Sequence, residues 1–239
     1  MAPPGPRPTP SLPSALRSAA FDFYQHSIRL VPANVLWGVG FALVVFLSLL
    51  GGPVLTAVTG PFLGIPLVGI YRLAGHAGRG EDVVLSDALA GMRERLVPAL
   101  VAGAVTTWAS LLLALNLLVG FGSTMPLGWA FGTAAAWGLI AIAIVSVALW
   151  PILGDPARRA LSLRDAAKLA GLVVLAAPFR ILRLALVVTV LAVVSTVLFA
   201  AIVSISVAFI ALVSSRIVLA EADRLAALRP DLVGAAGDS

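Results

Sequence analysis

Apolar positions dominate this chain in three long runs. Residues 30–71, 96–154 and 184–215 contain no Asp, Glu, Lys or Arg. A helix needs about 20 apolar residues to span a bilayer. The first run holds two such segments, 34–50 and 54–73, with the turn Gly51-Gly52-Pro53 between them. The second holds 97–119 and 128–152, split by the Gly/Ser/Pro loop GFGSTMPLG. The third run is too long for one comfortable crossing and short for two. Segments of about 10 residues alternating apolar and polar, the signature of a membrane β-barrel, are absent. The pattern predicts an all-α fold, a polytopic transmembrane helix bundle.

Between and around these runs the pattern changes. Six prolines crowd the first 13 residues, so 1–14 reads as a disordered tail. Phe21, Tyr24, Ile28 and Val31 then recur at helical spacing, which predicts an interfacial amphipathic helix over 15–31. The transmembrane domain spans 32–220, and 221–239 forms a C-terminal tail. GHAGRGED after the second crossing reads as a flexible turn. The next segment, VVLSDALAGMRERL, places Leu85, Ala88, Leu89, Met92 and Leu96 on one face of a short helix. Asp155 before Pro156 is an N-cap followed by Pro at the first helical position. Ser162-x-x-Asp165 forms a capping box with Asp in place of Glu.

Charge decides the topology. The 16 Lys and Arg and 11 Asp and Glu fall in four blocks, 7–29, 72–95, 155–183 and 216–238. The first two uncharged runs are hairpins, so the first three blocks share a side. The basic loops make that side cytoplasmic. If the third run is also a hairpin, turning near Ser204 and Ser206, every Lys and Arg is cytoplasmic and the bundle has six crossings. If it is one long tilted helix, there are five crossings and the C-terminus lies outside. Six crossings, with both termini cytoplasmic, is the favoured count.

The composition is 60% hydrophobic and 11% charged, with a mean hydropathy of +1.06. A soluble surface needs more charge. The basic pI near 11 then signals anionic lipid headgroups, and no nucleic-acid partner is expected. The chain has no cysteine, which excludes disulfides and thiol chemistry. His26 and His76 lack companions for a metal. No nucleophile–base set is visible, so neither enzymatic activity nor a cofactor is expected. No ionisable group falls in the middle of a crossing, which argues against a carboxylate-based proton pump.

Two candidate regions remain. The segment Pro53–Arg72 has three prolines and three glycines, the mark of a broken helix. Asn34, Thr56, Thr59, Gly60, Pro61, Gly64 and Pro66 are its candidates for ligand binding or, as the favoured alternative, close helix packing. Glu81, Asp82, Asp87, Arg93, Glu94 and Arg95 form a mixed-sign cluster that could dock a partner, or be a solvated face.

The pieces Asn34-Val-Leu-Trp37, Pro53-Val-Leu-Thr56, Gly60-Pro61, Tyr71-Arg72, Arg79-Gly80-Glu81 and Ser86-Asp87-x-x-x-Gly91-x-Arg93 resemble the YesL-type family of bacterial integral membrane proteins of unknown function. The likeness covers 34–95. It departs from the family in the extra residues between Thr56 and Gly60, in Ala88-Leu89 after the acidic position, and in the Pro-rich tail. The resemblance implies a bacterial cytoplasmic membrane protein with an accessory role in carbohydrate uptake, beside a membrane transporter complex. It supplies no catalytic or binding residues to carry over.

Overall fold

The computed structural model describes residues 9–198 and 205–228, and these are helical nearly throughout. Among the described residues eight α-helices follow in chain order: α1 (Leu12–Thr59), α2 (Gly64–Arg79), α3 (Leu85–Glu94), α4 (Leu96–Gly122), α5 (Pro126–Gly154), α6 (Leu163–Ala176), α7 (Pro178–Val197) and α8 (Val207–Leu228). Single 3₁₀ turns occupy Gly60–Leu63 and Pro156–Arg158. Among the described residues, four stretches are long and apolar enough to cross a membrane: Leu12–Arg79, Leu96–Gly122, Pro126–Gly154 and Pro178–Ser195.

The stretch Leu12–Arg79 is not straight. Gly52 has φ 60° and ψ −148°, a conformation closed to residues with a Cβ, and the chain reverses there. Thr56 Oγ1 donates to Ser48 Oγ at 2.7 Å, although a straight helix would hold these residues about 12 Å apart. Farther from the turn, a Cβ on Gly40 would lie 3.3 Å from Leu63 Cδ2. The two arms therefore pack antiparallel. Pro53 follows the reversal at the start of the second arm, where its missing N–H costs nothing. A second, milder break sits at His26 (φ −108°, ψ 16°), between the N-terminal segment and the apolar arm. Phe21, Tyr24 and Ile28 stay 60%, 82% and 88% exposed, an apolar stripe facing away from the bundle.

The helices α4 and α5 form the second hairpin, closed at Ser123–Met125. Gly120 packs directly on the backbone of Gly128 and Gly132, so the helices touch at the turn with no side chain between them. The third pair, α7 and α8, also runs antiparallel. Ser206 Oγ donates to Ser195 Oγ at 2.5 Å, and Arg180 Nη1 donates to Glu221 Oε1 at 2.9 Å. Ser195 lies as far along α7 from Arg180 as Ser206 lies along α8 from Glu221, so both bonds belong to one register. Residues 199–204, which include the expected turn position Ser204, lie outside the described residues, as do 1–8 and 229–239 of the expected tails.

Helix α8 is the centre of the assembly. It packs against α1, α2 and α5, and buries Ala208, Ala211, Leu212, Ser214, Ile217, Val218 and Ala222. Its first turn is held by Asn34 of α1, whose Oδ1 accepts from Ala208 N at 2.7 Å. The helix runs on to Leu228, so the expected tail from 221 begins as ordered helix, with Glu221 buried.

Candidate functional site

Charged side chains gather at one end of the bundle, around the second half of α8. Asp155 is fully buried after α5. It accepts from Arg79 Nε at 3.0 Å and Nη2 at 2.7 Å, from Arg158 Nη1, and from the Ala157 amide at 3.1 Å. Arg158 also donates to Asp223, whose Oδ1 lies 3.7 Å from Arg79 Nη2. Two arginines and two aspartates thus close a ring that joins α2, the Pro156–Arg158 turn and α8. Four donors around one carboxylate offset the cost of taking it out of water.

Two further links tie α8 to its neighbours. Arg216 grips Asp22 of α1 through Nε at 2.9 Å and through Nη2. Glu221 takes Arg180 of α7 on one oxygen and Arg224, at 3.4 Å, on the other. Arg216, Glu221 and Asp223 of α8 therefore fasten different parts of the bundle. Removing one partner of a buried pair costs about 3–5 kcal/mol, because the other charge is left unpaired.

Between α2 and α8, beside this ring, lies a cavity of about 250 Å³. Gly78, Arg79, Ser215, Arg216, Asp223 and Pro10 line it, with Leu219 and Ala220 as its apolar wall. Ser215 is fully buried and its Oγ has no hydrogen-bond partner among the described residues.

The broken helix predicted at Pro53–Arg72 is present as the 3₁₀ turn Gly60–Leu63. Its residues serve helix contacts. Pro61 has no N–H to give the Ala57 carbonyl, and Trp108 Nε1 of α4 supplies that donor at 2.8 Å. A Cβ on Gly60 would lie 2.5 Å from Thr107 Cγ2, and one on Gly64 would strike the Ala99 carbonyl. Gly103 of α4 meets Pro61 O in the same way. Thr59 returns its hydroxyl to the Leu55 carbonyl at 2.6 Å, and the Thr56 hydroxyl is shared between Ser48 Oγ and the Gly52 carbonyl, at 2.7 and 3.1 Å. Pro66 continues into α2 without a break. Asn34 is not part of this turn and instead caps α8.

The predicted docking cluster divides. Glu81, Asp82 and Arg93 are exposed around α3, with Glu81 Oε2 2.6 Å from His76 Nδ1. Asp87 caps α3, its Oδ2 accepting from Val84 N at 3.1 Å. Glu94 pairs with Arg72 at 3.1 Å. Arg95 is buried, and its Nη1 and Nη2 donate to the carbonyls of Leu161 and Arg158, both at 2.6 Å. The expected turn GHAGRGED also begins later than the sequence suggests. Helix α2 continues to Arg79 and ends on Gly80 at φ 72°. Gly75 is helical because it lets α2 lie against Pro156, where a Cβ would come within 2.8 Å of Cδ.

Sequence reasoning passed over Asp22, Arg79, Asp155, Arg158, Arg216, Glu221 and Asp223 as a group. A signal existed: Asp22, Asp155 and Glu221 each stand close to an apolar run, where a carboxylate needs a cation from another segment. No family model, curated protein or solved structure matches the chain.

Proposed function

We propose that the protein is a six-crossing protein of a bacterial cytoplasmic membrane, with both termini cytoplasmic, and that it acts as a non-enzymatic accessory or scaffold component. The crossings are the two arms of the 12–79 hairpin, α4, α5, α7 and α8. The charge blocks all fall at one end of such a bundle, in keeping with the excess of basic residues expected at the cytoplasmic face.

One observation carries the scaffold reading. The charged connections are not loose linkers but a folded platform: α3, the Pro156–Arg158 turn and the end of α8 are fixed to one another by Arg95, Asp155, Arg158 and Asp223. That platform leaves Glu81, Asp82 and Arg93 outward on a rigid base, the arrangement that a docking surface requires. The link to carbohydrate uptake rests on the YesL-type resemblance of 34–95.

Affinity purification from native membranes in mild detergent, with mass spectrometry, tests the reading. A stoichiometric membrane partner, lost when Glu81, Asp82 and Arg93 are reversed in charge together, is the expected result. A solitary protein would overturn it. Arg95 is unsuited to this test because its reversal would break the platform itself.

A second reading, a small-solute transporter or channel, is favoured by the cavity between α2 and α8 that Arg79, Ser215, Arg216 and Asp223 help to line. It predicts solute flux in liposomes that falls when Gly78→Leu fills the cavity. Its absence for all solute classes would refute that reading.

A further inference from the structure

We propose that Arg72 and Arg95 form a buried anion site beneath α3 that takes a phosphate-bearing group, from a lipid headgroup or from free phosphate. Both arginines are more than nine-tenths buried, at 7% and 5% exposure. Arg72 spends only Nη2, on Glu94 Oε2 at 3.1 Å. Its Nε and Nη1 are buried and have no partner among the described residues, and neither has Arg95 Nε. Three guanidinium nitrogens, on two arginines near enough for their charges to act on each other, are therefore left with N–H groups to donate. Buried donors on charged groups are costly unless something accepts from them.

The charge count points the same way. Arg95 gives its other two nitrogens to neutral carbonyls, so no carboxylate compensates it directly. Among the described residues Glu94 is the one carboxylate bonded to the pair, and its side chain is 45% exposed. Burial lowers the pKa of Arg95, and the neighbouring charge of Arg72 lowers it further against the pull of Glu94. Two cations with one half-solvated carboxylate leave a net positive charge inside the protein. A phosphate oxygen satisfies both needs, since guanidinium N–H groups match phosphate in geometry and charge.

The surroundings place the site where phosphate groups occur. Arg72 crosses over Gly91, whose missing side chain leaves room for it. The outer face of α3 and the start of α4 expose Leu85, Leu89, Leu96 and Val97. An apolar face on a short charged helix is the form of an element lying at the headgroup level. The short helix α3 thus lies against Arg72 through Gly91 and Glu94, and Arg95 follows directly at its end.

The test uses the full-length protein, purified in an uncharged detergent. Thermal unfolding is followed with inorganic phosphate against chloride at equal ionic strength. It is repeated in bilayer discs of phosphatidylcholine with or without phosphatidylglycerol. A ligand that binds only the folded state raises the midpoint. The expected result is a rise with phosphatidylglycerol, with phosphate, or with both, and its loss in Arg72→Gln. A rise with the lipid alone identifies the headgroup as the source; a rise with phosphate alone identifies the free anion. Glu94→Gln removes the competing carboxylate and should tighten the same binding several-fold, so it decides the matter even if Arg72→Gln does not fold. No rise with either ligand in wild type and Glu94→Gln, or an undiminished rise in a folded Arg72→Gln, would overturn the proposal.

Discussion

Replacing Asn34 with Leu tests what holds the central helix in place. Asn34 is fully buried on α1, and its Oδ1 accepts from Ala208 N at 2.7 Å. Ala208 lies in the first turn of α8, where backbone N–H groups have no acceptor within the helix. Leu shares the branched shape and heavy-atom count of Asn but carries bulkier methyl groups, so the variant leaves no cavity and removes the acceptor. An orphaned buried N–H costs about 1–3 kcal/mol. Side-chain hydrogen bonds between membrane helices average about 0.6 kcal/mol, since the dissociated helices find other partners in the bilayer. The orphan term is larger, because the helix end cannot rotate its N–H toward another group while α8 stays packed. The expected loss is about 2 kcal/mol, roughly a 30-fold change in the unfolding constant. The assay is dodecyl sulfate titration in mixed micelles, followed by circular dichroism. Asn34→Asp, which keeps an oxygen at that position, should recover part of the loss if the buried carboxyl stays protonated. A Leu variant within about 0.5 kcal/mol of wild type would refute the capping role, since that is the range of neutral surface changes.

Three other expectations follow from the packing. Gly64→Ala pushes a methyl group into the Ala99 carbonyl and the Trp150 ring, and should lower stability by about 1–3 kcal/mol in the same titration. The pair Arg180–Glu221 fixes the register of α7 against α8; a double-mutant cycle with Arg180→Met and Glu221→Gln should give a coupling of about 1 kcal/mol, and zero coupling would deny the pairing. Ser162 holds the Asp165 carboxyl below the usual carboxylate range by a hydrogen bond, with Lys168 helping. The ionised cap therefore contributes above the ordinary Asp pKa and is lost as pH falls through the lowered value. The stability difference between wild type and Ser162→Ala should shrink as pH drops through that window, and a constant difference would contradict it.

The sequence carried the hairpins well, because their signals are local. Gly51-Gly52-Pro53 and GFGSTMPLG are turn chemistry between apolar runs, and each hairpin turns there. Asp155 and Ser162 were legible for the same reason: both cap the segments that follow them. The third run resisted, since its signal is a pairing across chain, Ser195 with Ser206 and Arg180 with Glu221, which no local pattern displays. Glycine was misread where its purpose is contact. Gly75 and Gly78 look like a flexible loop, yet both are helical, and Gly75 lies on Pro156 of a segment far away in sequence. The candidate site was divided in the same way. Pro61 and Gly60 announced the break, but only Trp108 of α4 reveals that the freed Ala57 carbonyl is already used. Arg95 looked like a surface charge beside Arg93 and Glu94, because a helix end gives no hint that carbonyls of Arg158 and Leu161 will fold over it.

The proposed six-crossing topology underlies the functional reading, and the chain's lack of cysteine makes one measurement clean. Single cysteines are placed at Ser86, Thr124 and Ser239 and labelled in intact cells with a membrane-impermeant maleimide. Thr124→Cys, at the α4–α5 turn, should label from outside. Ser86→Cys and Ser239→Cys should label only after permeabilisation. Labelling of Ser239→Cys in intact cells, with Ser86→Cys still protected, would contradict the account and leave the C-terminal segment with a single crossing.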